Sequence, residues 1–128
     1  MKKQLLVLSL VTLCALLLQG CAAVLVGGAA AGAGVAYFGG ELKSNEPVSL
    51  DKAWAATEKA VVALEFKPVQ KKKDALAAQY ELIGATDKRV IIKLKNVGAK
   101  VTEVRVRVGT FGDENFSRVI LSKIQSNF

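Results

Sequence analysis

The chain contains no histidine, which removes the commonest general base and the commonest transition-metal ligand of proteins. Cysteine occurs only at Cys14 and Cys21. Cys14 lies in an apolar N-terminal run, so a chain that loses the run keeps one thiol and forms no internal disulfide. There is no glycine-rich phosphate loop and no metal-ligand spacing. These absences argue against an enzyme and imply neither a cofactor nor a bound metal. Asp113 and Glu114 are adjacent carboxylates, but they stand where a helix should begin, and capping explains them better than acid–base work.

Charge is missing from Gln4 to Gly40 and dense thereafter. The 52% apolar content therefore overstates the apolarity of the second part, which begins near residue 41. At 128 residues there is room for one domain. The net charge is +7, or +5 without Lys2 and Lys3. A moderately basic domain favours anionic surroundings without specifying a ligand.

Lys2 and Lys3 form a short positive region, and Leu5–Leu18 is an apolar run of signal-peptide length, short for a bilayer span. The run ends in Leu18-Gln19-Gly20-Cys21, which resembles the lipobox of bacterial lipoproteins. That resemblance implies cleavage between Gly20 and Cys21 and diacylglycerol on the Cys21 thiol, with further acylation such as palmitate. Gln19 departs from the small residue usual at its position. The alternatives are an ordinary cleaved signal with a chance cysteine, or an uncleaved membrane helix. Two or three acyl chains give a stable anchor at about 0.8 kcal/mol per buried methylene, where one gives marginal binding. Ala22 is not the aspartate associated with inner-membrane retention, so in a Gram-negative cell the resemblance implies the periplasmic face of the outer membrane.

Ala22–Gly40 contains six glycines, which weaken a helix by about 1 kcal/mol each. This stretch reads as a flexible tether. A glycine-zipper-like helix using Gly28 and Gly32 is the competing reading. Residues 1–20 are thus a signal peptide, 21–40 the lipidated cysteine and tether, and 41–128 a small domain.

In that domain a strand is expected near Tyr37–Ser44, ended by Pro47. Ser49 is a helix N-cap with Asp51 in the first turn. Leu50, Ala53, Trp54, Thr57, Val61 and Leu64 share one helical face ending near Glu65, with Trp54 as the core anchor. Phe66–Lys71 reads as a strand that Pro68 assigns to a sheet edge. Alternation marks further strands at Ala75–Ile83, Arg89–Asn96 and Thr102–Val108. The last two require a hairpin whose facing residues sum to an even number, because both apolar faces must meet one core. A three-residue loop at Gly98–Lys100 pairs Leu94 with Val104, Ile92 with Val106, Lys95 with Glu103 and Lys93 with Arg105. The last pair opposes two cations, at a cost of a few tenths of a kcal/mol. Asp113 opens a second helix with Phe116, Val119, Ile120 and Ile124 on its apolar face. The expected class is α+β, an antiparallel sheet of four to five strands with two helices packed on one face.

Gly40-Glu41-Leu42-Lys43, Leu50-Asp51-Lys52-Ala53-Trp54-Ala55-Ala56-Thr57 and Val101–Asp113 together make nearly the whole chain resemble a family of bacterial lipoproteins known as domain of unknown function 3568. The resemblance implies a small envelope lipoprotein, without site residues to carry over.

The remaining candidate site is basic. Lys93, Lys95, Arg105 and Arg107 should share the outward sheet face, with Lys71-Lys72-Lys73 on a nearby loop or strand end. A solvated surface explains them, the lysine run also protecting an edge. The functional alternative is an anionic envelope ligand: lipid head groups, peptidoglycan carboxylates or an acidic partner protein. Nucleic acid does not fit, since the face lacks interleaved aromatics. The expected function is a non-catalytic, membrane-anchored accessory or structural protein, with the anionic-ligand binding module as alternative.

Overall fold

The computed structural model describes residues 1–17 and 34–128. The chain divides into two compact units, Met1–Gly32 and Ala33–Phe128. In the first, α1 (Lys2–Leu17) carries most of the apolar run. No helix among the described residues is long and apolar enough to cross a membrane.

The second unit is α+β. In chain order it comprises β1 (Ala36–Phe38), β2 (Glu41–Glu46), α2 (Leu50–Ala63), β3 (Lys67–Lys73), β4 (Ala77–Ile83), β5 (Arg89–Gly98), β6 (Val101–Val108) and α3 (Glu114–Gln125). The strands form one antiparallel sheet in the order β1-β2-β6-β5-β4-β3. The sheet thus has six strands rather than four to five. The extra strand arises inside the stretch expected as one strand. Gly39 and Gly40 take φ of 60° and 80°, the mirror-image turn that joins tightly paired strands. They fold the chain into the β1–β2 hairpin.

Period-two alternation puts Leu42, Tyr80, Leu82, Val90, Ile92, Leu94, Val104, Val106 and Val108 on one sheet face, all buried. Helices α2 and α3 cover that face, bringing Leu50, Ala53, Val61, Ile120, Leu121 and Ile124 into the same core. Burying each of the larger aliphatic chains contributes about 1.5–3 kcal/mol. Both helix starts are capped as expected. Ser49 Oγ accepts from the Lys52 N–H at 3.3 Å, and Asp113 Oδ1 accepts from the Phe116 N–H at 3.0 Å.

Trp54 is not the core anchor. It is half-buried at the rim, stacked on Tyr80 at 4.3 Å between ring centroids. Tyr80, from the centre of β4, is the aromatic that is fully enclosed. Val119 is exposed, and Ser117 and Leu121 take the inward positions of α3 instead. The β5–β6 register agrees with the parity argument at every pair named above. The loop itself differs, for Gly98 pairs with Val101 across a two-residue turn at Ala99 and Lys100. A bulge between Asn96 and Gly98 absorbs the odd residue and keeps both apolar faces inward.

Ser117 Oγ is buried without a hydrogen-bond partner among the described residues. An unpaired buried hydroxyl carries its full desolvation cost. Ser117→Ala is therefore expected to stabilise the fold by about 1 kcal/mol, raising the thermal midpoint by about 4–8 °C for a domain of this size. A lower midpoint would mean that the hydroxyl is satisfied.

Candidate functional site

Antiparallel pairing carries one set of side chains in a row across the face that α2 and α3 leave open. Ala36 pairs with Lys43, Lys43 with Arg105, Arg105 with Lys93, Lys93 with Gln79, and Gln79 with Lys72. One row thus holds four cations from β2, β6, β5 and β3, with neighbouring strands about 4.8 Å apart. Arg107 and Lys95 flank it in the rows on either side, opposite Ile91 and Glu103. The four basic residues read from the sequence, Lys93, Lys95, Arg105 and Arg107, therefore share the open face.

The lysine run divides. Lys71-Lys72-Lys73 lies within the edge strand β3, so alternation sends Lys72 to the open face and its neighbours to the helix side. Lys71 Nζ is 3.0 Å from Glu58 Oε1, and Lys73 Nζ is 2.5 Å from Asp51 Oδ1 and 5.8 Å from the Trp54 ring centre. Lys71 and Lys73 clip the edge strand to α2 and do not extend the basic face. Such partly exposed pairs are worth under about 1 kcal/mol each.

The expected repulsion between Lys93 and Arg105 has an answer within the fold. Glu41 on β2 reaches between them, with Oε1 3.5 Å from Lys93 Nζ and Oε2 3.8 Å from Arg105. Glu103 faces Lys95 in register but binds Arg105 Nε at 2.5 Å. Arg107 donates to the Thr110 carbonyl at 2.9 Å. Lys43, Lys72 and Lys95 form no ion pair among the described residues. The uncompensated charge therefore lies at the two ends of the row and at Lys95. Beside it, Lys72, Gln79, Lys93, Lys95 and Arg105, with the single carboxylate Asp74, border a concavity of about 400 Å³. Amines and guanidinium groups so placed can hold an anion; they offer no nucleophile and no proton shuttle.

Sequence reasoning missed Lys43, Lys72 and Glu41 as members of this face. Their inclusion depends on β2 pairing with β6, across a large sequence separation, and on the β3 register. The irregularity between Pro68 and Gln70 shifts that register. Only the odd–even alternation of Glu41 and Lys43 against Leu42 hinted at it.

The Asp113–Glu114 carboxylates are occupied structurally. Asp113 caps α3, and Glu114 binds Arg118 at 2.8 Å one turn on. The Phe116 N–H, and then the Lys88 ammonium, hold the Asp113 carboxyl below its ordinary value. Among the described residues no three of histidine, cysteine, aspartate and glutamate are grouped so as to hold a metal. Gly20 and Cys21, the predicted cleavage and lipidation positions, lie outside the described residues.

Fold and face define a small α+β protein, with helices on one side of an antiparallel sheet and a cationic surface on the other. The chain belongs to the family described as protein of unknown function (DUF3568), whose model matches residues 4–127. No curated protein matches it.

Proposed function

We propose that this chain is a lipid-anchored protein of the bacterial envelope, processed at Gly20–Cys21 and held in a membrane by diacylglycerol on the Cys21 thiol. Its role there is accessory or structural rather than catalytic. The observation that carries this reading is the order Lys2-Lys3, the apolar run Leu5–Leu18, and Leu18-Gln19-Gly20-Cys21 at its end. The absence of histidine from the sequence and the structural employment of Asp113 and Glu114 support the non-catalytic part. Ala22 after the cysteine favours the outer membrane, facing the periplasm, in a Gram-negative cell.

Intact-mass analysis of the chain isolated from envelopes tests the reading. The expected result is a polypeptide beginning at Cys21 and carrying two or three acyl chains, with Cys21→Ala accumulating as unprocessed precursor. A mature chain beginning elsewhere, or a bare Cys21 sulfur, overturns it.

The cationic row favours a second, compatible reading, in which the open sheet face holds an anionic envelope ligand. Lys43, Lys72 and Lys95 support it, since Glu41 and Glu103 bind the centre of the row and these three form no ion pair among the described residues. The candidate ligands are lipid head groups, peptidoglycan carboxylates and an acidic protein.

A further inference from the structure

The sequence contains few aromatic residues, and two of them are left in solvent. Phe38 is 80% exposed and Phe111 is 92% exposed. A single exposed apolar side chain is ordinary, whereas exposed apolar side chains gathered on one patch mark a contact surface.

Both belong to the open sheet face. Phe38 pairs with Glu41, Glu41 with Arg107, and Arg107 with Ile91, which puts Phe38 in the row beside the cationic one. The Arg107 guanidinium holds the Thr110 carbonyl and draws the loop after β6 toward the same face. Phe111 there borders a concavity of about 760 Å³ with Ile91, the cations Lys88, Arg89 and Arg107, and the carboxylates Asp87 and Asp113. The two aromatic-bearing turns touch, since a Cβ on Gly40 would stand 2.6 Å from the Phe111 carbonyl oxygen. One corner of the face therefore presents Phe38, Phe111 and Ile91 among Arg89 and Arg107, continuous with the row Lys43, Arg105, Lys93 and Lys72.

This corner is also where the chain enters the domain. Fourteen residues lie between Cys21 and Ala36, the first residue of β1. Whatever its conformation, a segment of that length spans at most about 50 Å. Resting on the lipid anchor proposed above, we infer that the open sheet face docks on the bilayer to which the chain is tethered. Phe38 and Phe111 bury their apolar rings at the head-group and acyl boundary, as the Trp, Phe and Leu side chains of interfacial segments do. The cationic row lies over anionic lipid phosphates, as basic surfaces do near charged leaflets. The bilayer is favoured over a protein partner because the aromatics sit at the tether's point of entry and the charge lies in an extended row rather than a closed pocket.

The test uses the chain isolated from envelopes and reconstituted into vesicles of phosphatidylethanolamine with phosphatidylglycerol, or of phosphatidylcholine alone. Tryptophan is introduced as Phe38→Trp, as Phe111→Trp, or as Val62→Trp on the exposed side of α2, and read over the constant Trp54 signal. Quenching by lipids brominated near the head group should be about twofold stronger or more at positions 38 and 111 than at 62. The excess should be larger in the anionic vesicles, and Lys43→Glu with Lys72→Glu should abolish that difference. Equal quenching at all three positions overturns the docking. So does shielding of positions 38 and 111 from an aqueous quencher without vesicles, which would indicate a second copy on this face. The intact mass of the same sample reports the anchor separately. An acylated Cys21 with equal quenching sinks the docking alone, and a bare Cys21 with strong quenching at 38 and 111 sinks the anchor alone.

Discussion

Gly112→Ala is expected to lower the stability of the domain by about 2–5 kcal/mol, a large share of the 5–15 kcal/mol that holds a typical domain. Two costs combine. Gly112 has φ of 88°, where an L side chain costs about 1–2 kcal/mol. A Cβ there would also overlap Gly40 Cα, the Gly40 carbonyl and the Tyr37 hydroxyl, and forced overlap in a packed site costs about 1–3 kcal/mol. The overlapped Gly40 atoms are backbone and cannot turn aside. Gly109→Ala supplies the control. Gly109 shares the backbone strain with φ of 70°, but nothing lies within 4 Å of its added Cβ. Urea denaturation of both variants separates the terms, with Gly112→Ala expected to cost more. Equal losses would mean that the approach of the β1–β2 turn to the loop after β6 does not hold the domain together. The same approach places Phe38 and Phe111 on one corner, so this packing carries the candidate membrane surface as well as stability.

Tyr80→Ala should cost about 3–5 kcal/mol, the range for emptying an aromatic site in a core. Tyr80 is fully buried between β5 and the edge strand and stacks on Trp54, so its ring joins the centre of the sheet to the rim of α2. Tyr80→Phe keeps the ring and removes hydrogen bonds from the hydroxyl to the Trp54 carbonyl at 3.2 Å and Glu58 at 3.3 Å. Its expected cost is about 1 kcal/mol. Burial first, and then the Glu58 carboxylate, push the phenol well above its ordinary value of 10.0. Unfolding releases the phenol to titrate near that value, so above about pH 10 the unfolded state gives up a proton that the folded state keeps. The stability held by the neutral phenol is complete below that pH and falls by about 1.4 kcal/mol per pH unit above it. Tyr80→Phe should remove this part of the alkaline decline. An unchanged alkaline limb in the variant would show that Tyr80 titrates freely in the folded protein.

Most of the core was legible in the chain, because the signals that specify it are local. Val104, Val106 and Val108 alternate with Glu103, Arg105 and Arg107, and one solvated face explains that pattern. The Ser49 and Asp113 caps could be read from residue type and position. The β5–β6 register followed from parity alone, although the turn was misjudged. The bulge at Val97 conserves parity, so two loop lengths are compatible with the same pairs. The strand count failed at Gly39-Gly40, where two glycines within an apolar stretch can end a tether or reverse a chain. Trp54 was misplaced for a different reason. Helical periodicity identifies a face but not its most enclosed point, which depends on where the edge of the sheet falls beneath it.

Sequence by itself determined the class of the domain, most inward residues of its strands, its two helix starts and the four basic residues Lys93, Lys95, Arg105 and Arg107 on one face. Each of these rests on a period of two or of 3.6, or on the chemistry of a single residue, and needs no partner from elsewhere in the chain. Tertiary structure alone decided that Glu41 neutralises the Lys93–Arg105 pair, that Lys71 and Lys73 leave the face while Lys43 and Lys72 join it, and that Gly40 meets Gly112. Those outcomes depend on pairing between segments as far apart as β2 and β6. Which distant strands pair is settled by the total area buried in the core, a quantity that no local stretch of the chain contains.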